Sequence, residues 1–149
     1  MELVKELVAI IGDGHNMIDI QTKMKSLFGG SCYGYCLAYL FSEPDKVNDI
    51  KYLTSCFLEG WKRGYIDDDG YVAYPLQYIQ MLCGTKYRDV EKVSIHKIED
   101  IKELTIVEYA YNDGSHFVVV KDGNVIFDPS GYSLSVKYGI PFTYRKFIK

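Results

Sequence analysis

No apolar run in this sequence approaches the roughly 18 residues that a membrane-spanning helix needs, which argues against a spanning chain. Basic clusters are missing too. The 17 Lys and Arg are scattered among 20 Asp and Glu, for a net charge of −3, so there is no electrostatic footprint for nucleic acid. The N-terminus, Met1-Glu2-Leu3-Val4-Lys5-Glu6-Leu7, has neither the basic start nor the apolar block of a signal peptide. That predicts a cytoplasmic product, or one that leaves the cell by lysis or a dedicated route. Cysteine is sparse, and in that compartment Cys32, Cys36, Cys56 and Cys83 are expected as thiols rather than a disulfide framework. With no internal repeat and no low-complexity linker, residues 1–149 read as a single domain long enough to bury a core.

What the chain does hold is aromatic surface: 15% Phe, Trp and Tyr, including 14 Tyr, a composition suited to sheets and to an amphipathic groove. Helical periodicity dominates the first half. Glu2 to Ile11 carries a stripe of Leu3, Val4, Leu7, Val8 and Ile11, ended by Gly12. Met17 to Phe28 is mixed and partly helical. Cys32 to Phe41 is apolar nearly all round, as a buried central helix would be. Ser42-Glu43-Pro44-Asp45 ends it and caps a helix expected over Val47 to Arg63. Pro75 opens a shorter helix that Gly84 stops.

Past Gly84 the period becomes alternating. Strands are expected at Tyr87–Ile95, Glu103–Tyr111, His116–Val120, Val125–Asp128 and Phe142–Ile148, the last following the breaker Gly139-Ile140-Pro141. Helices first and an antiparallel sheet second make an α+β domain. The acidic loop Asp67-Asp68-Asp69 lacks the alternating ligands and later Glu of an EF-hand, and reads as a solvated loop.

Two places carry chemistry. In Gly29-Gly30-Ser31-Cys32 a glycine turn delivers a cysteine to the start of a helix. Unpaired N–H groups and the positive end of the macrodipole there favour a thiolate, the nucleophilic form. The second place is the segment from His116 to Asp128. With a two-residue loop at Asp122-Gly123, Phe117 faces Asp128 and His116 points to the other side of the sheet. With a three-residue loop, Lys121-Asp122-Gly123, His116 and Asp128 become cross-strand neighbours with Cβ atoms roughly 4.5–5.5 Å apart. Both loops suit Asp-Gly. A carboxylate beside an imidazole fixes its tautomer and stabilises the imidazolium, which is the orienting role in a nucleophilic triad. A metal site built on Cys32 and Cys36, which share a helix face, would need Cys56, Cys83 or His116, and the cysteines form no second close pair. No cofactor motif is present.

A cysteine heading a buried helix, then His and Asp on late adjacent strands, resembles the papain-like cysteine peptidases. Cys32-Tyr33-Gly34-Tyr35-Cys36-Leu37-Ala38-Tyr39 is similar to the helix start of the bacteriocin-leader-processing branch. His116-Phe117-Val118-Val119-Val120 with Phe127-Asp128-Pro129 is similar to that branch's second motif. Gly64-Tyr65-Ile66-Asp67-Asp68-Asp69-Gly70-Tyr71-Val72 resembles small papain-like proteins carried by phages and bacterial plasmids. The resemblance implies a papain-like fold and a cysteine peptidase acting on a peptide, a protein or a cell-wall peptide, without cofactor or metal. It implies Cys32 as nucleophile, His116 as base and then acid, and Asp128 as the orienting group. Position 26, where the family usually carries its oxyanion-hole glutamine, holds Ser26; Gln21 is the nearest glutamine, and the resemblance implies that role for it. Tyr33 stands where the family has glycine. Cys36, in Gly34-Tyr35-Cys36-Leu37-Ala38-Tyr39, is a rival nucleophile by its likeness to plant papains, and a non-catalytic binding module on the same fold is the alternative function.

Overall fold

The computed structural model describes residues 30–112, 114–130 and 134–149. The helix expected over Glu2–Ile11 and the mixed, partly helical stretch Met17–Phe28, with Gln21 in it, lie outside the described residues. Among the described residues three α-helices come first: α1 (Cys32–Phe41), α2 (Ile50–Lys62) and α3 (Pro75–Cys83). Strands β1 (Asp89–Ser94), β2 (Thr105–Tyr111), β3 (Gly114–Lys121) and β4 (Asn124–Phe127) follow, then a short helix α4 (Leu134–Tyr138) and strand β5 (Ile140–Ile148). The strands form one antiparallel sheet in the order β1-β5-β2-β3-β4. The architecture is α+β, helices packed on a five-stranded antiparallel sheet.

Helix α1 is the centre of the core. Tyr35, Cys36, Leu37 and Ala38 are fully buried, which is why its sequence shows no polar face. One side meets α2, where Tyr35 and Phe57 stack at 5.4 Å and the Tyr35 and Thr54 hydroxyls hydrogen-bond at 2.7 Å. Another side meets the sheet through Tyr33 stacked on Phe117 at 4.7 Å and Tyr39 on Phe127 at 4.4 Å. These ring pairs sit at the two ends of α1 and set its position along β3 and β4.

Helix α2 packs closely against α3 because Gly60 has no side chain. A Cβ there would lie 2.5 Å from the ring of Tyr78, a fully buried residue, and 3.0 Å from Ile66. Gly60→Ala therefore should destabilise the fold by about 1–3 kcal/mol from overpacking. Helix propensity alone would favour alanine by roughly 1 kcal/mol, so the sign of the change in a denaturant titration decides which effect governs.

The second face of the sheet is covered as well. Val107, Tyr109, Val118 and Val120 pack there with Ile101, Ile98 and Val136, from the segment between β1 and β2 and from α4. Central strand β2 is accordingly buried from Thr105 through Tyr109 without alternation. Edge strand β1 carries the exposed charges Asp89, Glu91 and Lys92, which discourage pairing with another chain.

Several boundaries differ from the expected ones. Helix α2 begins at Ile50 rather than Val47, because Asp49 is its cap: the side chain accepts from Lys51 N at 2.9 Å. Pro44–Lys46 forms a separate 3-10 turn. Strand β5 starts at Ile140 and runs through Pro141, where a bulge between Glu108 and Tyr109 shifts the pairing with β2. Proline is tolerated in that position because β1, on the other side of β5, pairs no further than Thr143. Two carboxylates of the acidic loop brace the loop itself. Asp67 Oδ1 accepts from Asp69 N at 2.9 Å and Tyr71 N at 3.0 Å, and Asp68 accepts from Trp61 Nε1 at 3.0 Å.

Candidate active site

Cys32 occupies the first turn of α1, after Ser31 at the N-cap. The approach is pinned from the acidic loop: Gly30 N donates to Asp69 O at 2.8 Å, and a Cβ on Gly30 would lie 2.9 Å from the Tyr71 ring. That close approach is why glycine stands there. Within α1 the first hydrogen bond runs from Tyr35 N to Ser31 O at 3.2 Å, so earlier N–H groups have no partner inside the helix. They form a donor array with the helix dipole behind it, which stabilises an anion lying at this end.

His116 lies on β3 opposite Tyr109, and Asp128 follows the end of β4. The connection between β3 and β4 fits neither expected register alone. The turn has two residues, Asp122 and Gly123, both with positive φ (51° and 76°), and Lys121 pairs with Asn124. Two residues on, the pairing slips: Val120 meets Val125 while Val119 meets Phe127, leaving Ile126 as the extra residue of a bulge. The bulge shifts Asp128 by one position, from the register of Phe117 to that of Val118, which puts it on the His116 side of the sheet, with Nε2 to Oδ1 at 2.8 Å. The short turn predicted to separate the two groups is present, and an unpredicted bulge cancels its effect.

Asp128 is held from its other side by Ser130, whose backbone N (3.0 Å) and hydroxyl (2.7 Å) both donate to the same Oδ1. Burial pushes the Asp128 carboxyl up, but hydrogen bonds from His116 and Ser130 and the His116 charge outweigh it and hold the pKa below 3.8. Burial likewise opposes protonation of His116. Hydrogen bonds to Asp128 and Cys32, with the charge of both, overcome it and lift the histidine from 6.5 to about 9. The imidazole is thus hydrogen-bonded to the carboxylate and shares the cleft with the thiol. With Nε2 on Asp128, Nδ1 is the nitrogen left for sulfur.

Cys32, His116 and Ser130 line one cleft of about 820 Å³, with Tyr71 and Pro75 on the helical side and Arg145 on the sheet side. That volume accommodates several residues of an extended peptide. Cys36 lies one turn deeper, fully buried, and burial raises its thiol well above the ordinary value. Its Sγ donates to Phe117 O at 3.4 Å, fastening α1 to the strand that carries His116. Cys36→Ala should cost about 1 kcal/mol of stability for that lost contact and volume, while peptide mapping still finds Cys32 as the alkylated residue. Cys56 lies half-buried on α2, and Cys83 is exposed at the end of α3. Among the described residues no group of three or more His, Cys, Asp or Glu could hold a metal ion.

No family model, curated protein or solved structure matches the chain. The sequence reading missed Ser130, although Asp-Pro-Ser after a strand is a turn motif in which the aspartate accepts from the residue two positions on. It also missed Arg145, whose guanidinium lies over the rings of Tyr33 at 5.3 Å and Phe117 at 5.2 Å. A lone arginine in a C-terminal strand carries no signal of that placement.

Proposed function

We propose that this chain is a papain-like cysteine peptidase, cleaving an amide bond in a peptide, a protein or a cell-wall peptide. The observation that carries this reading is the His116–Asp128 hydrogen bond of 2.8 Å, with His116 and the helix-heading Cys32 lining one peptide-sized cleft. The helices packed on an antiparallel sheet are compatible with a papain-like fold, and the motif resemblance adds to it.

In this mechanism the Cys32 thiolate, paired with the His116 imidazolium, attacks the carbonyl carbon. Backbone N–H groups at the start of α1 hold the oxyanion, and the Gln21 amide is the expected second donor. His116 gives its proton to the leaving amine as the C–N bond breaks, leaving a thioester on Cys32. It then takes a proton from water, whose attack on the thioester releases the acid and restores the ion pair. Tyr33 occupies the family's glycine position without closing the cleft, because its ring turns onto Phe117 and Arg145.

The test is incubation with a proteome-derived peptide mixture and mass spectrometry of new termini. The protein should generate them and Cys32→Ala should not. Parallel iodoacetamide mapping should find Cys32 alkylated fastest of the four thiols. Equal, slow reaction of all four, with no new termini, would replace the hydrolase by a binding module.

A further inference from the structure

Apart from the Cys32–His116 pair, the charged side chains that line the cleft among the described residues are of one sign. Among the described residues lining it are Lys92 and Arg145, besides His116, and no Asp or Glu. This holds in a chain whose net charge is −3. Both cations lie on the sheet side. Arg145 lies over the Tyr33 and Phe117 rings, 5.3 and 5.2 Å from their centroids, and its Nη1 donates to Thr143 Oγ1 at 2.9 Å. Thr143 in turn donates to Glu108 Oε1 at 2.8 Å. Glu108 is the carboxylate behind this wall, buried and outside the cleft lining. It stands 3.6 Å from Arg145 Nη2 and 3.8 Å from Lys92 Nζ, both longer than a direct charge-assisted hydrogen bond. One carboxylate shared between two cations leaves about one positive charge facing the cleft.

Resting on the hydrolase reading above, we infer that Arg145 and Lys92 form a carboxylate-binding subsite, so that preferred substrates carry an acidic group beside the scissile bond. Arg145 supplies the oriented contact. Its guanidinium is immobilised by Thr143 and the two rings, so little side-chain freedom is lost when an acid binds. Lys92 is 59% exposed and supplies a mobile charge at the rim. The acid is either an Asp or Glu side chain or a chain-terminal carboxylate, since both present the same two oxygens.

The experiment compares alkylation of Cys32 by iodoacetate and by iodoacetamide, which differ in the carboxylate. The ratio of the two rates, relative to free cysteine, removes intrinsic thiol reactivity, and each variant removes one cation while His116 stays. Lys92→Gln, a surface change that leaves the core intact, should lower the ratio roughly threefold, and Arg145→Met by more. Raising the salt concentration should flatten the difference. Protection of Cys32 by millimolar N-acetyl-Ala-Ala-Glu-amide, against its Gln analogue, would assign a side-chain acid. Protection by N-acetyl-Ala-Ala-Ala as free acid, against its amide, would assign a terminal one. A ratio that neither variant changes, or protection by neither acid, overturns the subsite. Failure of the hydrolase reading shows itself differently, as iodoacetamide that does not single out Cys32.

Discussion

Replacing His116 by alanine should reduce Cys32-dependent peptide cleavage by about 10²–10⁴-fold, the usual contribution of a positioned general acid–base group. The histidine serves both halves of the proposed cycle, first as the partner that keeps the thiol proton and then as the acid that frees the amine. Its loss therefore slows thiol alkylation as well as turnover. Asp128→Asn should be milder. An asparagine oxygen can still accept from Nε2–H and from Ser130, so the ring keeps its orientation and loses only the facing charge. Asp128→Ala removes both and should approach the His116→Ala rate. The order wild type, Asp128→Asn, Asp128→Ala, His116→Ala, measured on one peptide substrate, separates orientation from charge. Equal rates for all four would remove the triad from the mechanism.

Much of this arrangement is legible in the sequence because it rests on local chemistry. The Gly-Gly turn before Cys32 predicts the start of α1, and α1 begins at Cys32. Pro75 and Gly84 bracket α3 by the backbone freedom each lacks or has, and that helix runs between them. What stayed hidden depends on pairing between distant strands. Ile126 looks like any apolar residue of a strand, yet it is the one left unpaired, and on it turns whether His116 can reach Asp128. Nothing in Val125-Ile126-Phe127 marks which residue bulges, since the choice is made by the packing of Phe127 under Tyr39 and of Val125 on the opposite face. Arg145 and Glu108 were hidden for the same reason. Thirty-seven residues separate them, and only the β2–β5 pairing places them together.

Folding stability should follow the same ion pair, over a window set by its two members. In the unfolded chain a histidine titrates near 6.5; in the fold His116 holds its proton to about 9. Below 6.5 both states are protonated, and the full stabilisation is present. Between 6.5 and 9 the native protein keeps a proton the unfolded chain has released, so stability falls as pH rises, by up to about 3 kcal/mol in total. On the acid side the order reverses. The Asp128 carboxyl lies below 3.8 in the fold, so its contribution is present above 3.8 and is lost as pH falls through the folded value. Urea titrations of the protein and of His116→Gln, across pH 5 to 10, should diverge at low pH and converge above about pH 9. Cys32→Ser supplies the internal control. Part of the rise in His116 comes from the thiol, so without it the upper edge of the window should move down. If the two stability curves run parallel across the whole range, His116 gains nothing on folding, and the imidazole does not stand as a cation between sulfur and carboxylate.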